Sequence, residues 1–359
     1  MIPANYYRII YLLVVVVATI IAYIVYNKKN SLTNQNSNFL LFLVTFLILF
    51  IGNRPNNVTF FTDTANYYVY YDTFYKGSIF QFNFLTENLI FDNLLAFWGS
   101  LDLGMPSFVL LITTLYFGCT YAAIKRMFKT DALVAYIVFL GAFSTFSYAT
   151  NGIKSGAAAS FFLLALSYRN KKTVCILLSL LSLGFHHSMQ LPVVALILSL
   201  IYKNSKVYLW LWIVCALLSP LNLPIFRDFF SGLTDEKGGE YLISEAVDWG
   251  GKSGFRPDFL IYSAMPVLVG WWAIFKKKIS LSANYICILN TYLITNSVWM
   301  LCMYASYTNR IAYLSWLMYP VVLIYPFLNE KWGDNRYSVF SNVMIAHLGF
   351  LLFMSFIYY

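Results

Sequence analysis

The side chains best suited to chemistry lie at the two ends of one apolar hairpin. They are Lys154, His186, His187 and Ser188. If residues 153–168 and 173–185 are helices that rise about 1.5 Å per residue, all four side chains return to one membrane face. The basic turn at 169–172 then stays on the other face. A histidine near a serine can act as a base near neutral pH or hydrogen-bond a phosphate, so this end of the hairpin is a candidate site.

Further ionisable residues stand where apolar segments begin. Arg256 and Asp258 enter one segment, and Arg310 opens another. Cations gathered at one membrane face can bind a diphosphate, for which arginine offers paired hydrogen bonds and lysine a point charge. The alternative is that these residues snorkel at helix ends, or that Arg256 and Asp258 form a structural pair. His347 lies inside the last apolar segment, where we expect it to pack in the bundle.

The composition predicts an all-α polytopic integral membrane protein. Hydrophobic residues make up 60% of the chain and charged residues 11%, and long apolar segments recur throughout. We expect about twelve transmembrane helices, some short or kinked, in a single transmembrane domain over residues 1–359. The predicted spans are 9–26, 38–52, 106–124, 132–149, 153–168, 173–186, 188–202, 207–224, 259–275, 282–304, 310–328 and 339–357.

Lysine and arginine clusters mark alternate loops, which the positive-inside rule makes cytoplasmic. These clusters are Lys28/Lys29, Lys125/Arg126/Lys129, Arg169/Lys171/Lys172, Lys203/Lys206, Lys276–Lys278 and Lys331/Arg336. Both termini then lie outside, as does every acidic residue except Asp131, Glu330 and Asp334. The net charge of +9 therefore reflects loop orientation, and no nucleic-acid partner is expected.

Two predicted outer loops are long enough to bind a ligand. The first, 53–106, contains an amphipathic run in which Leu89, Leu94, Leu95 and Trp98 are expected to share one face of an interfacial helix. The second, 225–257, mixes charged residues with glycines and aromatics such as Trp249. Such a mixture suits a glycan, although aromatic residues also belong at membrane interfaces in general.

Several reaction classes are disfavoured by the motifs that the chain lacks. It has no GxxxxGKS, HExxH, GxGxxG or GxSxG sequence, which argues against nucleotide-driven pumps, zinc proteases and serine hydrolases. The five cysteines lie within apolar segments and show no metal-binding spacing. We therefore expect neither a cofactor nor a metal.

The polar anchors of the chain resemble those of one family. TNGIKSGAAASFFLLAL followed by LGFHHSM is similar to the pattern of EpsG-like polysaccharide biosynthesis proteins and Wzy-type O-antigen polymerases. His186 and Ser188 take the FHxS positions of that pattern. Asp63, Tyr67 and Glu87 match acidic and aromatic positions of its first outer loop. Arg256, Asp258 and Arg310 fall at motif positions of its late segments, whereas Lys154 stands where the family usually has arginine.

The resemblance implies polymerisation of undecaprenyl-pyrophosphate-linked repeat units at the periplasmic face of a Gram-negative inner membrane, in lipopolysaccharide or related biosynthesis. The growing chain would leave its carrier and join a fresh unit. Arg256, Arg310 and Lys154, with Arg227 as a further candidate, would stabilise the pyrophosphate leaving group. His186, then Asp63, then His187, are the candidate bases, and Asp258, Ser188, Glu87, Tyr67 and Trp249 are candidates for substrate contacts.

The expected partners are the lipid-linked glycans, the bilayer, a chain-length regulator and a flippase. Two alternatives stay open, a flippase or transporter for a lipid-linked glycan and an O-antigen ligase. A transporter should carry polar groups through the midplane, whereas the middle of nearly every predicted span is apolar. Composition does not separate a polymerase from a ligase.

Overall fold

The computed structural model describes residues 2–27, 36–231 and 254–358, and most of them are helical. The helices are α1 (Tyr6–Asn27), α2 (Asn36–Gly52), α3 (Thr62–Tyr70), α4 (Leu89–Ser100), α5 (Met105–Phe128), α6 (Ala132–Leu140), α7 (Phe143–Thr150), α8 (Ile153–Ser167), α9 (Lys172–Phe185), α10 (Gln190–Ile201), α11 (Ser205–Leu218), α12 (Pro224–Ser231), α13 (Pro257–Trp271), α14 (Ala283–Leu301), α15 (Thr308–Trp316), α16 (Tyr319–Asn329) and α17 (Arg336–Tyr358). Single π turns at Tyr71–Tyr75 and Trp272–Lys276 extend α3 and α13. The chain forms two compact units, unit 1 with residues 1–189 and 334–359, and unit 2 with residues 190–333.

The helices identify a polytopic membrane protein. In the described part of the chain, five segments are long and apolar enough to cross a membrane, namely 6–24, 105–140, 257–276, 308–329 and 336–357. The α11 and α12 pair, bent by 114°, adds a broken span or a re-entrant loop. Shorter apolar helices include α8 and α9, and at 1.5 Å per residue the 15 residues of α8 rise about 22 Å. Every predicted span coincides with helical structure, and twelve crossings remain a prediction.

The α8–α9 hairpin is present, and small residues of α8 allow close contact with neighbouring helices. Gly156 lies so close to α7 that an added Cβ would stand 2.6 Å from the Tyr148 carbonyl oxygen. Ser182 Oγ donates to Ala158 O at 2.7 Å, which joins the two arms. At the turn end, Arg126 Nε donates to Ser167 O at 2.9 Å. A basic residue in the last turn of α5 therefore lies beside the basic turn, at the end of unit 1 away from Lys154.

The predicted span 132–149 is interrupted where α6 ends and α7 begins. Side chains donate to three consecutive carbonyls at the break, those of residues 138–140. The donors are His347 Nε2 at 3.0 Å, Thr145 Oγ1 at 2.8 Å and Tyr11 Oη at 2.6 Å. A Cβ on Gly141 would stand 3.0 Å from His347 Nε2, which is tighter than an ordinary van der Waals contact. Because lipid offers carbonyls no hydrogen bonds, these donors stabilise the interruption. His347 was expected only to pack in the bundle, and in the structure it also makes this hydrogen bond.

Unit 2 is organised around a buried polar network on α14. Asn296 Nδ2 donates to Ser263 Oγ at 3.1 Å and to Ser315 Oγ at 3.0 Å, and Asn296 Oδ1 accepts from Trp212 Nε1 at 2.7 Å. This one amide connects α11, α13, α14 and α15 with both donors and an acceptor in use. Asn290, also on α14, is fully buried as well. The middle of α14 is thus more polar than the sequence reasoning allowed.

The predicted interfacial helix exists as α4, but a different face of it is buried. Phe91, Leu95 and Gly99 are buried, whereas Leu89, Leu94 and Trp98 are half-buried. These three residues are spaced four apart, as expected for one helix face. Only Leu95 belongs to both the predicted and the observed set. The buried face packs on α5 and α9, so α4 is held by the bundle.

Candidate functional site

Several candidate residues of unit 1 lie around the Phe91 ring. It lies 5.4 Å from the Tyr67 ring of α3 and 6.3 Å from the Phe185 ring at the end of α9. Lys154 Nζ stands 5.6 Å from the centre of the same ring. Because His186 follows Phe185 directly, the hairpin brings Lys154 and the histidine pair to one end of the unit. The predicted return of both hairpin arms is therefore correct within unit 1.

The His186 ring has a defined tautomer. Its Nδ1 accepts from the Ser188 backbone N–H at 3.2 Å and lies 2.8 Å from Ser188 Oγ. A backbone N–H can only donate, so Nδ1 carries the lone pair and the neutral ring carries its proton on Nε2. His186 thus presents an N–H donor on Nε2, which suits contact with an anionic or carbonyl oxygen.

His187 has the opposite tautomer. Its backbone N–H donates to Asn88 Oδ1 at 3.3 Å, which fixes that oxygen as an acceptor, and His187 Nδ1 lies 3.3 Å from the same oxygen. The ring nitrogen that faces an acceptor must carry the proton, so Nε2 of the neutral ring holds the lone pair. The two imidazoles lie 4.8 Å apart, with an N–H on Nε2 of His186 and a lone pair on Nε2 of His187.

Asp63 and Tyr67 share one face of α3, because they are four residues apart in the helix. Tyr67 contacts Phe91, so the half-buried Asp63 is on the side of α3 that faces the same cluster. Glu87 is exposed and directly precedes Asn88, the partner of His187. Unit 1 therefore holds seven of the predicted site residues: Asp63, Tyr67, Glu87, Lys154, His186, His187 and Ser188.

Arg54 is a buried cation that the sequence reasoning missed. Its Nη2 donates to Thr64 Oγ1 at 2.8 Å and to Thr150 O at 2.9 Å, and its Nη1 donates to Ile51 O at 2.9 Å. One side chain thus connects the end of α2, the start of α3 beside Asp63 and the end of α7. Burial lowers the pKa of Arg54 to about 10, so the guanidinium stays charged at neutral pH.

A signal for Arg54 is present in the sequence. It is an ionisable residue at the outer end of a predicted span, the same feature that singled out Arg310. Asn88 and Phe91 carry no such signal, because an asparagine and a phenylalanine in an amphipathic run are ordinary. Their roles follow only from the packing of α4 against the hairpin.

In unit 2, Arg256 and Asp258 form a paired contact at the start of α13. Arg256 Nε donates to Asp258 Oδ1 at 3.1 Å and Nη2 donates to Asp258 Oδ2 at 2.9 Å. The guanidinium also lies 3.6 Å from the centre of the Phe259 ring. The structural pair that the sequence left open is therefore present, and it compensates part of the charge that Arg256 would offer to a phosphate.

Arg227 and Arg310 lie near the segment that joins α14 to α15. Arg310 is exposed in the first turn of α15, with its guanidinium 4.7 Å from the centre of the Tyr307 ring. Arg227 on α12 is buried and interacts electrostatically with Cys302 at the start of this segment. Its Nε and Nη1 atoms have no hydrogen-bond acceptor among the described residues. The backbone N–H of Arg256 contacts Met303 Sδ at 3.1 Å, which places α13 beside the same segment.

The remaining predicted contact, Trp249, lies outside the described residues. Unit 2 holds Arg227, Arg256, Asp258 and Arg310, so the predicted residues form one group in each unit. In the described ranges, no three His, Cys, Asp or Glu side chains are grouped to hold a metal ion. The chemistry available to these groups is anion binding, proton transfer and hydrogen bonding to hydroxyls.

Comparison with known proteins gives one match. No curated protein and no solved structure matches the chain significantly. The sequence profile of the EpsG family matches residues 37–359, which covers most of the chain and all the residues of both groups. The match agrees with the resemblance of the NGIK and FHHS segments. This chain belongs to the EpsG family.

Proposed function

We propose that this protein joins undecaprenyl-pyrophosphate-linked oligosaccharide repeat units into O-antigen or a related surface polysaccharide. Membership of the EpsG family supports a glycosyltransferase-like polymerase of polysaccharides. The proposed reaction takes place at the periplasmic face of a bacterial inner membrane. The growing chain is transferred from its lipid carrier to the non-reducing end of an incoming unit.

The placement of cations at helix starts carries this proposal. Lys154 lies in the first turn of α8 and Arg310 in the first turn of α15. A helix start carries partial positive charge, and acidic side chains are the ones that stabilise it. A lysine or arginine there increases the positive charge of the helix start. An anionic ligand would offset this positive charge. A pyrophosphate carries the negative charge and the oxygen acceptors that such positions favour.

The proposed step breaks the bond between the anomeric carbon and the pyrophosphate oxygen. The same carbon forms a new bond to the acceptor hydroxyl oxygen, the hydroxyl proton passes to a base, and undecaprenyl pyrophosphate leaves. We assign the base to His187, whose Nε2 holds the lone pair in the neutral ring, with Asp63 as the next candidate. His186 then donates from Nε2, and Lys154 in the same unit stabilises the leaving charge. In unit 2, Arg310 is a candidate for binding a lipid-linked pyrophosphate.

Secondary roles follow from the same contacts. Arg256 is partly neutralised by Asp258, so we assign this pair to orientation of the substrate more than to charge stabilisation. Arg227 offers two buried donors and is a stronger candidate for phosphate contact than the sequence indicated. Tyr67, Glu87 and Ser188 remain candidates for glycan hydroxyls.

The test is polymer formation by the purified protein. The protein in lipid is incubated with the lipid-linked repeat unit of its own host, and the products are separated by size. We expect a ladder from the wild type and its loss in Arg310→Ala. Lys331→Ala, which changes a cation of a predicted cytoplasmic loop, is the matched control and should keep the ladder. A ladder unchanged in Arg310→Ala would remove that residue from the proposed site.

A lipid-linked glycan transporter is the second candidate, and the buried polar residues of α14 together with the bent α11–α12 pair favour it. An assay of lipid movement between leaflets separates the two functions. Movement of the lipid-linked unit without any ladder, with folded protein and verified substrate, would overturn the polymerase. Transfer of finished polymer to lipid A core without a ladder would identify the ligase.

A further inference from the structure

One loop of unit 1 directs large apolar side chains away from the protein. This loop, residues 76–88, joins the π turn after α3 to α4. Ile79 is 87% exposed, Phe84 79% and Leu85 93%, and Phe82 is exposed as well. A contiguous exposed apolar surface of this kind marks a site that another molecule or a membrane covers.

Hydrogen bonds to α4 fix the shape of the loop. The Asn83 N–H donates to Asn93 Oδ1 at 2.7 Å, and Asn93 Nδ2 donates back to Asn83 O at 2.8 Å. Near the other end of the loop, the Gly77 N–H donates to Gly99 O at 3.0 Å. The loop is therefore held to α4 at two separate points. Its exposed apolar side chains belong to a segment whose backbone is fixed by hydrogen bonds.

The position of the loop identifies what covers it. Gly99, to which the loop is bonded, lies shortly before Met105, where the candidate span 105–140 begins. Leu101 and Leu103, between these two residues, are also exposed. The apolar surface of the loop is therefore tied to the end of a membrane span, where the hydrocarbon region of the bilayer starts.

The charge pattern of the loop fits the same partner. Residues 77–86 carry no charged side chain, and Lys76 and Glu87 flank them. Apolar side chains gain from entering hydrocarbon, whereas charged side chains stay at the headgroups. We propose that this loop inserts Ile79, Phe82, Phe84 and Leu85 into the bilayer leaflet at this end of α5. The loop, and not α4 itself, then makes the interfacial contact, independently of the proposed polymerase activity.

The experiment measures the surroundings of a dye on the loop. Phe84→Cys and Leu85→Cys are labelled with the environment-sensitive fluorophore NBD, and Lys76→Cys in the same loop is the matched control. All three side chains are exposed, so the substitutions leave packing intact. Four native cysteines are buried and Cys119 is half-buried, and labelled wild type gives their background signal. Each variant is placed in phosphatidylcholine vesicles with or without lipid that carries a doxyl quencher on its acyl chain.

We expect NBD at positions 84 and 85 to emit at shorter wavelength than NBD at position 76. Doxyl lipid should quench the emission at positions 84 and 85, and iodide in the water should quench it less than at position 76. Iodide quenching at 84 and 85 equal to that at 76 would place the loop in water and overturn the proposal. A blue shift without doxyl quenching would also overturn it, because a protein surface such as a second copy of the chain would then cover the loop.

Discussion

At the residue scale, the two adjacent histidines differ in which ring nitrogen carries the proton. Ser188 fixes the lone pair of His186 on Nδ1, and Asn88 fixes the proton of His187 on Nδ1. Sequence alone ranks His186 first as a base, because it takes the FHxS position. From these neighbours we propose the reverse order, since each imidazole can offer only one of its nitrogens as a base in the neutral form.

This difference predicts opposite outcomes for two glutamine variants. His187→Gln should lower the polymerisation rate by about 10²–10⁴-fold, because an amide cannot take up the proton. His186→Gln keeps an N–H donor near the Nε2 position and should retain activity within about tenfold. Polymerisation rates of both variants check this, and a larger loss in His186→Gln would return the base to His186.

Arg54 gives a second prediction at this scale. Arg54→Lys keeps the charge but not the two nitrogens that bond to Thr64, Thr150 and Ile51. We expect Arg54→Gln to lower the free energy of unfolding by about 2–4 kcal/mol, and Arg54→Lys to recover only part of it. Thermal unfolding in lipid measures the change, with the exposed Lys76→Gln as control. Equal stability of Arg54→Gln and the control would show that the buried contacts contribute little.

At the scale of elements, the apolar segments predict where helices lie but not where they are interrupted. The hairpin from 153 to 185 follows from its basic turn and its small residues. The break between α6 and α7 does not, because Tyr11 and His347 are 129 and 209 residues away from the carbonyls they serve. The buried face of α4 was likewise not predicted from the sequence, since it depends on the Phe108 and Phe185 rings that contact Phe91.

The break between α6 and α7 predicts that substitution of Gly141 destabilises the protein. A methyl group at Gly141 would stand 3.0 Å from His347 Nε2 and displace the bond to Val138 O. We expect Gly141→Ala to lower the free energy of unfolding by about 1–3 kcal/mol. Gly118→Ala in α5 is the matched control, because nothing lies within 4 Å of its added Cβ. Melting temperatures of the two variants decide the matter, and equal values would mean that the His347 contact adjusts freely.

At the scale of the whole molecule, composition is enough to predict a helical membrane protein, and the charge pattern predicts its orientation. The division into two units was not predicted, because apolar helices carry no mark of which neighbours they pack against. The polar groups of α14 were also undervalued. Their partners Ser263, Ser315 and Trp212 come from three other helices, and no local pattern links them.

The orientation has a direct test within unit 1. Cysteines introduced at Thr59, in the turn before α3, and at Asn170, in the α8–α9 turn, should react with a membrane-impermeant maleimide from opposite sides of intact cells and inverted vesicles. Thr59 is expected to react from outside, because Asn170 lies within a basic turn. Reaction of both residues from one side would overturn the predicted topology.

The contact between His347 and the α6–α7 break also bears on the biogenesis of the protein. Unit 1 is discontinuous in sequence, with unit 2 encoded between its two parts. When Val138 is added to the growing chain, the residue that hydrogen-bonds to its carbonyl is still 209 residues from being translated. The contact between α6 and α17 can therefore form only after unit 2 has been synthesised. Completion of unit 1 is then a late event in folding, and slower synthesis of unit 2 should delay it.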